Sequence, residues 1–215
     1  MDNSVLLSIV EYATIGVSFI MMGSGVPGCV KMYKTKETKN VPLSMYLIFA
    51  LINLLSLQYG KLLQNSTLIL INVVGLSVWG TCIFIYILVS NPKTTPLLKL
   101  FTLIGLYMSK MYYLSIIPQT EVVPTLGSYL MFWCIMLSVI PVLEIIKIVS
   151  ERSATCCDKS IMFGATLSAS VWCSYGVLIS DINIYAPNFL GLVINGIKII
   201  LVFVFGTQSK SIHID

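Results

Sequence analysis

Apolar residues fill this chain in long runs, and polar residues gather between them. Seven runs, at about 5–28, 43–63, 67–90, 97–117, 126–149, 160–180 and 183–206, each reach the roughly 20 residues a helix needs to cross the hydrocarbon layer. The two-residue alternation of a membrane barrel is absent, so the pattern predicts an all-α protein of seven transmembrane helices. One stretch breaks the pattern. In "IYAPNFLG" (184–191) a proline and an asparagine stand inside an otherwise hydrocarbon run. An amide in apolar surroundings without partners costs several kcal/mol, and a proline removes a helix donor.

Pro187 and Asn188 gain meaning from an internal repeat. "QYGKLLQNSTLILINVVG" (58–75) matches "SYGVLISDINIYAPNFLG" (174–191), pairing Tyr59-Gly60 with Tyr175-Gly176, Asn72 with Asn188 and Gly75 with Gly191. One offset, 116 residues, relates all four pairs. Upstream, Pro27 pairs with Pro141 at an offset two residues shorter. The repeat unit is three helices: 5–90 and 126–206 are expected as the two copies and 97–117 as a linker helix, leaving 207–215 as a short cytosolic tail. Three crossings end on the side opposite their start. One extra crossing restores the side, so the copies become parallel repeats about an axis along the membrane normal. Asn72 and Asn188 would then line a polar cavity, each offering two donors and one acceptor oxygen, which suits sugar hydroxyls better than a bare ion. Amides of this kind also tie helices together; the symmetric duplication favours a site. Pro187 is expected to loosen the seventh helix, a device Asn72 lacks because Ile71 precedes it.

Of the 215 residues 57% are hydrophobic and 10% charged, against about 25% charged in soluble domains. Basic residues gather on one side: Lys31, Lys34, Lys36 and Lys39 after the first run, then Lys93, Lys99, Lys147, Arg152, Lys159 and Lys210. The other side holds Lys61 with Asp2, Glu121 and Asp181. The positive-inside rule gives an outer N-terminus and a cytosolic C-terminus. The net charge of +4 thus reports topology, not nucleic-acid binding. Residues 1–10 lack the basic n-region of a cleavable signal. Lys110 and Lys198 lie inside runs, where a charge is functional by default unless its stem snorkels to the interface. Glu11 and Glu144 lie nearer run ends, which argues against proton coupling and for passive transport.

Catalytic chemistry finds no footing. The six cysteines, Cys29, Cys82, Cys134, Cys156, Cys157 and Cys173, form no C-x-x-C pair and are expected as free thiols. His213 is the single histidine, so no metal site, cofactor or catalytic residue is expected. "GSGVPG" (23–28) fits a dinucleotide fingerprint but follows no strand and carries a proline; its small residues suit close helix approach. Asn65-Ser66-Thr67 is a glycosylation sequon at the outer end of a run.

The 3+1+3 layout, the Y-G…N-x-x-G pattern in each copy and the prolines Pro27 and Pro141 resemble the SWEET sugar transporters over about residues 10–206. The resemblance implies a facilitative carrier of hexoses such as glucose, not an enzyme, working by alternating access in the plasma or Golgi membrane and assembling as a homo-oligomer. It implies that Asn72 and Asn188 contact the sugar and that Ser56 and Trp172, three residues before each Tyr-Gly tyrosine, line the cavity. A serine with a tryptophan at that pair looks like the hexose-carrying members, since the indole narrows the cavity and offers a face to sugar C–H groups. Gly23 and Leu137, four residues before Pro27 and Pro141, stand at the selectivity positions, and the two prolines are the gating hinges. The family's second proline pair falls at Met45 and Asp158 here, with Pro42 nearby but out of register, and Lys198 replaces an uncharged residue. The partners implied are a small sugar and the lipid bilayer, with no nucleic acid.

Three rivals remain open at this stage. A proton-coupled PQ-loop amino-acid carrier would have Gln after its prolines, where Gly28 and Val142 stand. A seven-helix receptor would not need the asparagine twins. A non-transporting scaffold is motivated by the missing prolines at Met45 and Asp158.

Overall fold

A computed structural model describes residues 3–38, 41–155 and 157–206; Asp2, Lys39, Cys156, Lys210, His213 and the tail 207–215 lie outside the described residues. The described residues form eight helices: α1 (Asn3–Thr35), α2 (Leu43–Leu62), α3 (Ser66–Val89), α4 (Thr94–Ile116), α5 (Gln119–Leu137), α6 (Val139–Glu151), α7 (Lys159–Leu178) and α8 (Ile182–Phe205). The fifth apolar run supplies two of them, so seven runs give seven helical segments, one of them interrupted. Six segments are long and apolar enough to cross a membrane, with α5 and α6 counted together as Gln119–Glu151. α4 is not among them because Lys99 and Lys110 dilute its run, though its 23 residues span about 35 Å at helical rise.

Two boundaries differ from the sequence expectation. α1 continues past residue 28 to Thr35, so Lys31 and Lys34 belong to its last turns and not to a loop. Lysine is a good helix former, and its charge complements the carbonyl-rich helix end. Lys36, at φ 57°, is the left-handed residue that stops it. α5 begins at Gln119, seven residues early, with Glu121 in the first turn where a carboxylate is favoured.

The chain forms two compact units, Met1–Thr14 with Cys134–Asp215, and Ile15–Trp133. Within Ile15–Trp133, α2 packs along α3, and α4 lies on both. Trp79 of α3 stacks on Phe49 (4.9 Å) and Tyr46 (5.8 Å) of α2. A methyl on Gly25 of α1 would lie 2.9 Å from the Trp79 ring, so the small residues of "GSGVPG" do permit close helix approach. Gln58 Nε2 donates to the Tyr107 hydroxyl at 3.0 Å, joining α2 to α4. Lys110 is held over the rings of Tyr113 (5.1 Å) and Tyr129 (4.6 Å), a cation–π arrangement that gives an intramembrane ammonium partners without a counter-ion. In the other unit α7 packs along α8, and α6 rests on α8.

The corner between α2 and α3 recurs between α7 and α8. Gln64 and Ser180 both take the left-handed conformation, at φ 53° and 56°. The Asn65 amide donates to the Gly60 carbonyl at 2.8 Å, and the Asp181 amide donates to that of Gly176 at 2.8 Å. Asn65 Oδ1 then caps α3 by accepting from Leu68 N–H (2.9 Å), and Asp181 Oδ1 caps α8 by accepting from Asn183 N–H (2.9 Å). The corner explains the Tyr-Gly pair. Tyr59 and Tyr175 are buried, and any methyl on the glycines would collide: 2.8 Å from Leu68 Cβ at Gly60, and 2.6 Å from the Tyr185 backbone nitrogen at Gly176.

The starts of α2 and α7 also correspond. Pro42 and Asp158 occupy the same position, the residue capping each helix, which corrects the count that set Pro42 out of register. Asp158 Oδ1 accepts from the amides of Ser160 (2.7 Å) and Ile161 (3.1 Å), so a carboxylate serves there as a cap. Met45 lies inside the first turn of α2.

Candidate functional site

Asn72 lies in the second turn of α3 and Asn188 in the second turn of α8, each behind the capped corner just described. Both side chains turn back on their own helix. Asn72 Nδ2 donates to the Leu68 carbonyl and Asn188 Nδ2 to the Ile184 carbonyl, each at 2.7 Å. That bond engages one of the two amide hydrogens; the other hydrogen and the oxygen lie outside it. Asn72 is 6% exposed and Asn188 half-buried. Pro187 is buried and leaves α8 continuous from Ile182 to Phe205, so the expected loosening does not take the form of a break. As the sixth residue of α8, Pro187 withholds one ladder donor, the N–H that would meet the Asn183 carbonyl, without breaking the helix.

Helix register brings the candidates together within each half. Across α2 and α3, Gly60 meets Leu68 and Gly75 meets Asn53. Ser56 stands four residues before Gly60, and Asn72 four after Leu68; the same two stand three after Asn53 and three before Gly75. Spacings of three and four keep residues on one helix face, so Ser56 and Asn72 share a level on the α2–α3 seam. Across α7 and α8, Gly176 meets Ile184 and Gly191 meets Ala169, and the same count sets Trp172 level with Asn188. Ser56 is buried. Trp172 is half-buried, its ring edge-on to Tyr175 at 6.0 Å.

The remaining candidates fall on α1 and around the α5–α6 junction. Gly23 is exposed on α1 with open space around it, and Pro27 is exposed in a helix that runs through it unbroken. Leu137 is the last residue of α5, and Pro141 lies in the first turn of α6. The twin prolines therefore differ. Pro141 has no amide to offer the Leu137 carbonyl, and its ring crowds that carbonyl. The helix stops there, with Ser138 N–H bonded three residues back to Ile135 (2.9 Å) and Val142 N–H reaching Ser138 at a longer 3.3 Å. Asn65, the sequon residue, is half-buried and caps α3 through Oδ1.

Two features escaped the sequence reading. Asn53 is buried beside Gly75 and bonds the Phe49 carbonyl at 2.7 Å; a methyl on Gly75 would overlap its Oδ1 at 1.9 Å. Its counterpart is Ala169, which leaves Gly191 an ordinary 3.7 Å contact. Lys198 is 6% exposed and forms an ion pair with Glu144. Two opposite charges inside apolar runs were the available signal, since a buried charge calls for a partner. Among the described residues no cluster of His, Cys, Asp and Glu could hold a metal ion.

The model for the sugar efflux transporters for intercellular exchange (MtN3/saliva) matches the chain twice, over residues 8–94 and 124–210. The chain belongs to this family. It is 26% identical over 193 residues to human sugar transporter SWEET1, covering 89% of this chain and 87% of that protein. It is 27% identical over 196 residues to the bidirectional sugar transporter SWEET10 of Arabidopsis thaliana, covering 88% of this chain and 67% of that protein. A eukaryotic SWEET transporter solved at 3.7 Å shares the fold, with a TM-score of 0.85 over 97% of this chain and all of that one, at 17% identity. The chain is a multi-pass membrane protein of a transporter family, not an enzyme family.

Proposed function

We propose that this chain is a facilitative carrier moving hexoses such as glucose across a membrane by alternating access. The observation that carries the reading is the matched pair of rows, Ser56 with Asn72 and Trp172 with Asn188, each amide held in the same back-bonded posture. A side chain already anchored through one hydrogen loses little freedom when its other hydrogen and oxygen meet a hydroxyl. Names of relatives support sugar as the cargo. Trp172 limits the cargo to a single ring by volume, while Gly23 and Leu137 adjust fit and Pro27 and Pro141 act as hinges. Ion coupling has no part in the cycle; the sugar gradient drives it.

The carrier works in the plasma or Golgi membrane as a homo-oligomer, its N-terminus outside. The two repeats are 5–90 and 126–206, joined by 97–117. Uptake of radiolabelled glucose into proteoliposomes of the purified protein tests the reading. Saturable uptake that ignores a proton gradient is expected. Uptake that needs a proton gradient would replace the reading with a coupled carrier, and no uptake of any monosaccharide would replace it with a scaffold.

A further inference from the structure

The interrupted helix is tied down at one place by charge. α5 ends at Leu137 and α6 begins at Val139, and the backbone across Ser138 is held by one short-range and one long hydrogen bond. Downstream of that weak point α6 packs on α8. Its fully buried residue is Ile148, and the turn after it is pinned by Ala154 N–H donating to the Gly206 carbonyl at 2.9 Å. Glu144 lies one turn beyond Pro141, and its Oε2 accepts from Lys198 Nζ of α8. Lys198 is buried and Glu144 half-buried.

The first half is built differently at the same place. Cys82 stands where Lys198 stands, by the 116-residue offset that pairs Asn72 with Asn188. Cys82 of α3 and Cys29 of α1 are buried free thiols, and α1 passes through Pro27 without a break. A buried cysteine accompanies the continuous helix, and an ion pair accompanies the broken one.

Resting on the carrier reading above, we propose that Glu144 and Lys198 form a latch that makes α6 and α8 move as one body, so that bending is confined to Ser138. Neither charge can be left alone in apolar surroundings, so sliding α6 off α8 costs far more than turning the backbone at a junction already short of hydrogen bonds. Glu144 and Lys198 are positioning residues: they act on the hinge, not on the sugar. The latch belongs to the second half alone, so the two halves contribute unequally to the conformational change.

Amide hydrogen exchange of the full chain in nanodiscs tests the latch without sugar. Glu144→Gln and Lys198→Met should each raise exchange across 139–151 by about tenfold or more, with α2 and α3 unchanged. The swap Glu144→Lys with Lys198→Glu, and separately Lys198→Arg, should return exchange to near the wild-type level. Exchange unmoved by either single substitution, raised equally throughout the chain, or restored by neither rescue would overturn the latch. Glucose exchange in proteoliposomes supplies the second readout: the single variants should change Vmax at least threefold and leave KM within about twofold. A shifted KM with constant Vmax would overturn the positioning role. If α6 responds as described but the wild-type protein carries no monosaccharide, the latch stands and the carrier reading falls.

Discussion

Asn72 and Asn188 hold one posture: each donates an amide hydrogen to the carbonyl four residues back, at 2.7 Å in both cases. The acceptors, Leu68 and Ile184, are also the residues that press on Gly60 and Gly176. The amide's aim is therefore set by the corner beneath it, and the corner by a glycine that lets two helices touch.

Replacing either asparagine with alanine should lower glucose uptake at least tenfold, the size of one hydrogen bond at about 1.4 kcal/mol. Surface expression should stay near wild type, because the lost back-bond is local to one helix. Intact uptake by Asn188→Ala in proteoliposomes would remove that residue from the site.

Trp172→Ala should let a disaccharide pass. The indole shares a level with Asn188 and is braced edge-on by Tyr175, so its removal opens space that backbone movement does not refill. Sucrose uptake compared with glucose uptake is the measurement, and an unchanged ratio counts against the volume argument.

The two corner glycines should differ in tolerance. Both methyls meet atoms fixed by the backbone, but one at Gly60 stops 2.8 Å from Leu68 Cβ and 3.3 Å from the Ile69 nitrogen, whereas one at Gly176 comes within 2.6 Å of the Tyr185 nitrogen and 2.9 Å of Tyr185 Cβ. Both alanine variants should melt at lower temperature, with overpacking costs of about 1–3 kcal/mol and Gly176→Ala the worse. Thermal unfolding followed in detergent ranks them.

Gly75 and Gly191 give a sharper contrast. Gly191→Ala makes only an ordinary contact with Ala169 and should be neutral within about 0.5 kcal/mol. Gly75→Ala collides with Asn53 and should destabilise the protein, and adding Asn53→Ala should recover most of the loss by recreating the second-half pairing. A double-mutant cycle of melting temperatures showing plain additivity would refute this account of the seam.

Asn65→Asp should keep α3 capped and leave stability unchanged, while Asn65→Ala should cost about 1 kcal/mol. Mobility on a gel before and after glycosidase treatment tells separately whether the sequon is used.

Much of this was legible in the chain. The apolar runs marked the helices because a bilayer demands about 20 unbroken apolar residues, a condition that is local in sequence. The offset of 116 residues marks both asparagines and both pairs of glycines without knowledge of any contact. Capping by Asn65, Asp158 and Asp181 was legible too, since each stands just before an apolar run, Asn65 also beginning a sequon. The ion pair was half legible: the charges were visible, but Glu144 and Lys198 lie 54 residues apart on different helices.

Hydropathy and repetition need no knowledge of contacts, so the residues alone place the chain in a bilayer, mark it as duplicated and say which residues are twins. How alike the twins are is set by packing. Pro27 rides in an unbroken helix while Pro141 ends one, and Cys82 is a buried free thiol where Lys198 meets a carboxylate. The reason is that a proline's effect and a buried charge's cost depend on what packs against them, and those neighbours come from distant parts of the chain.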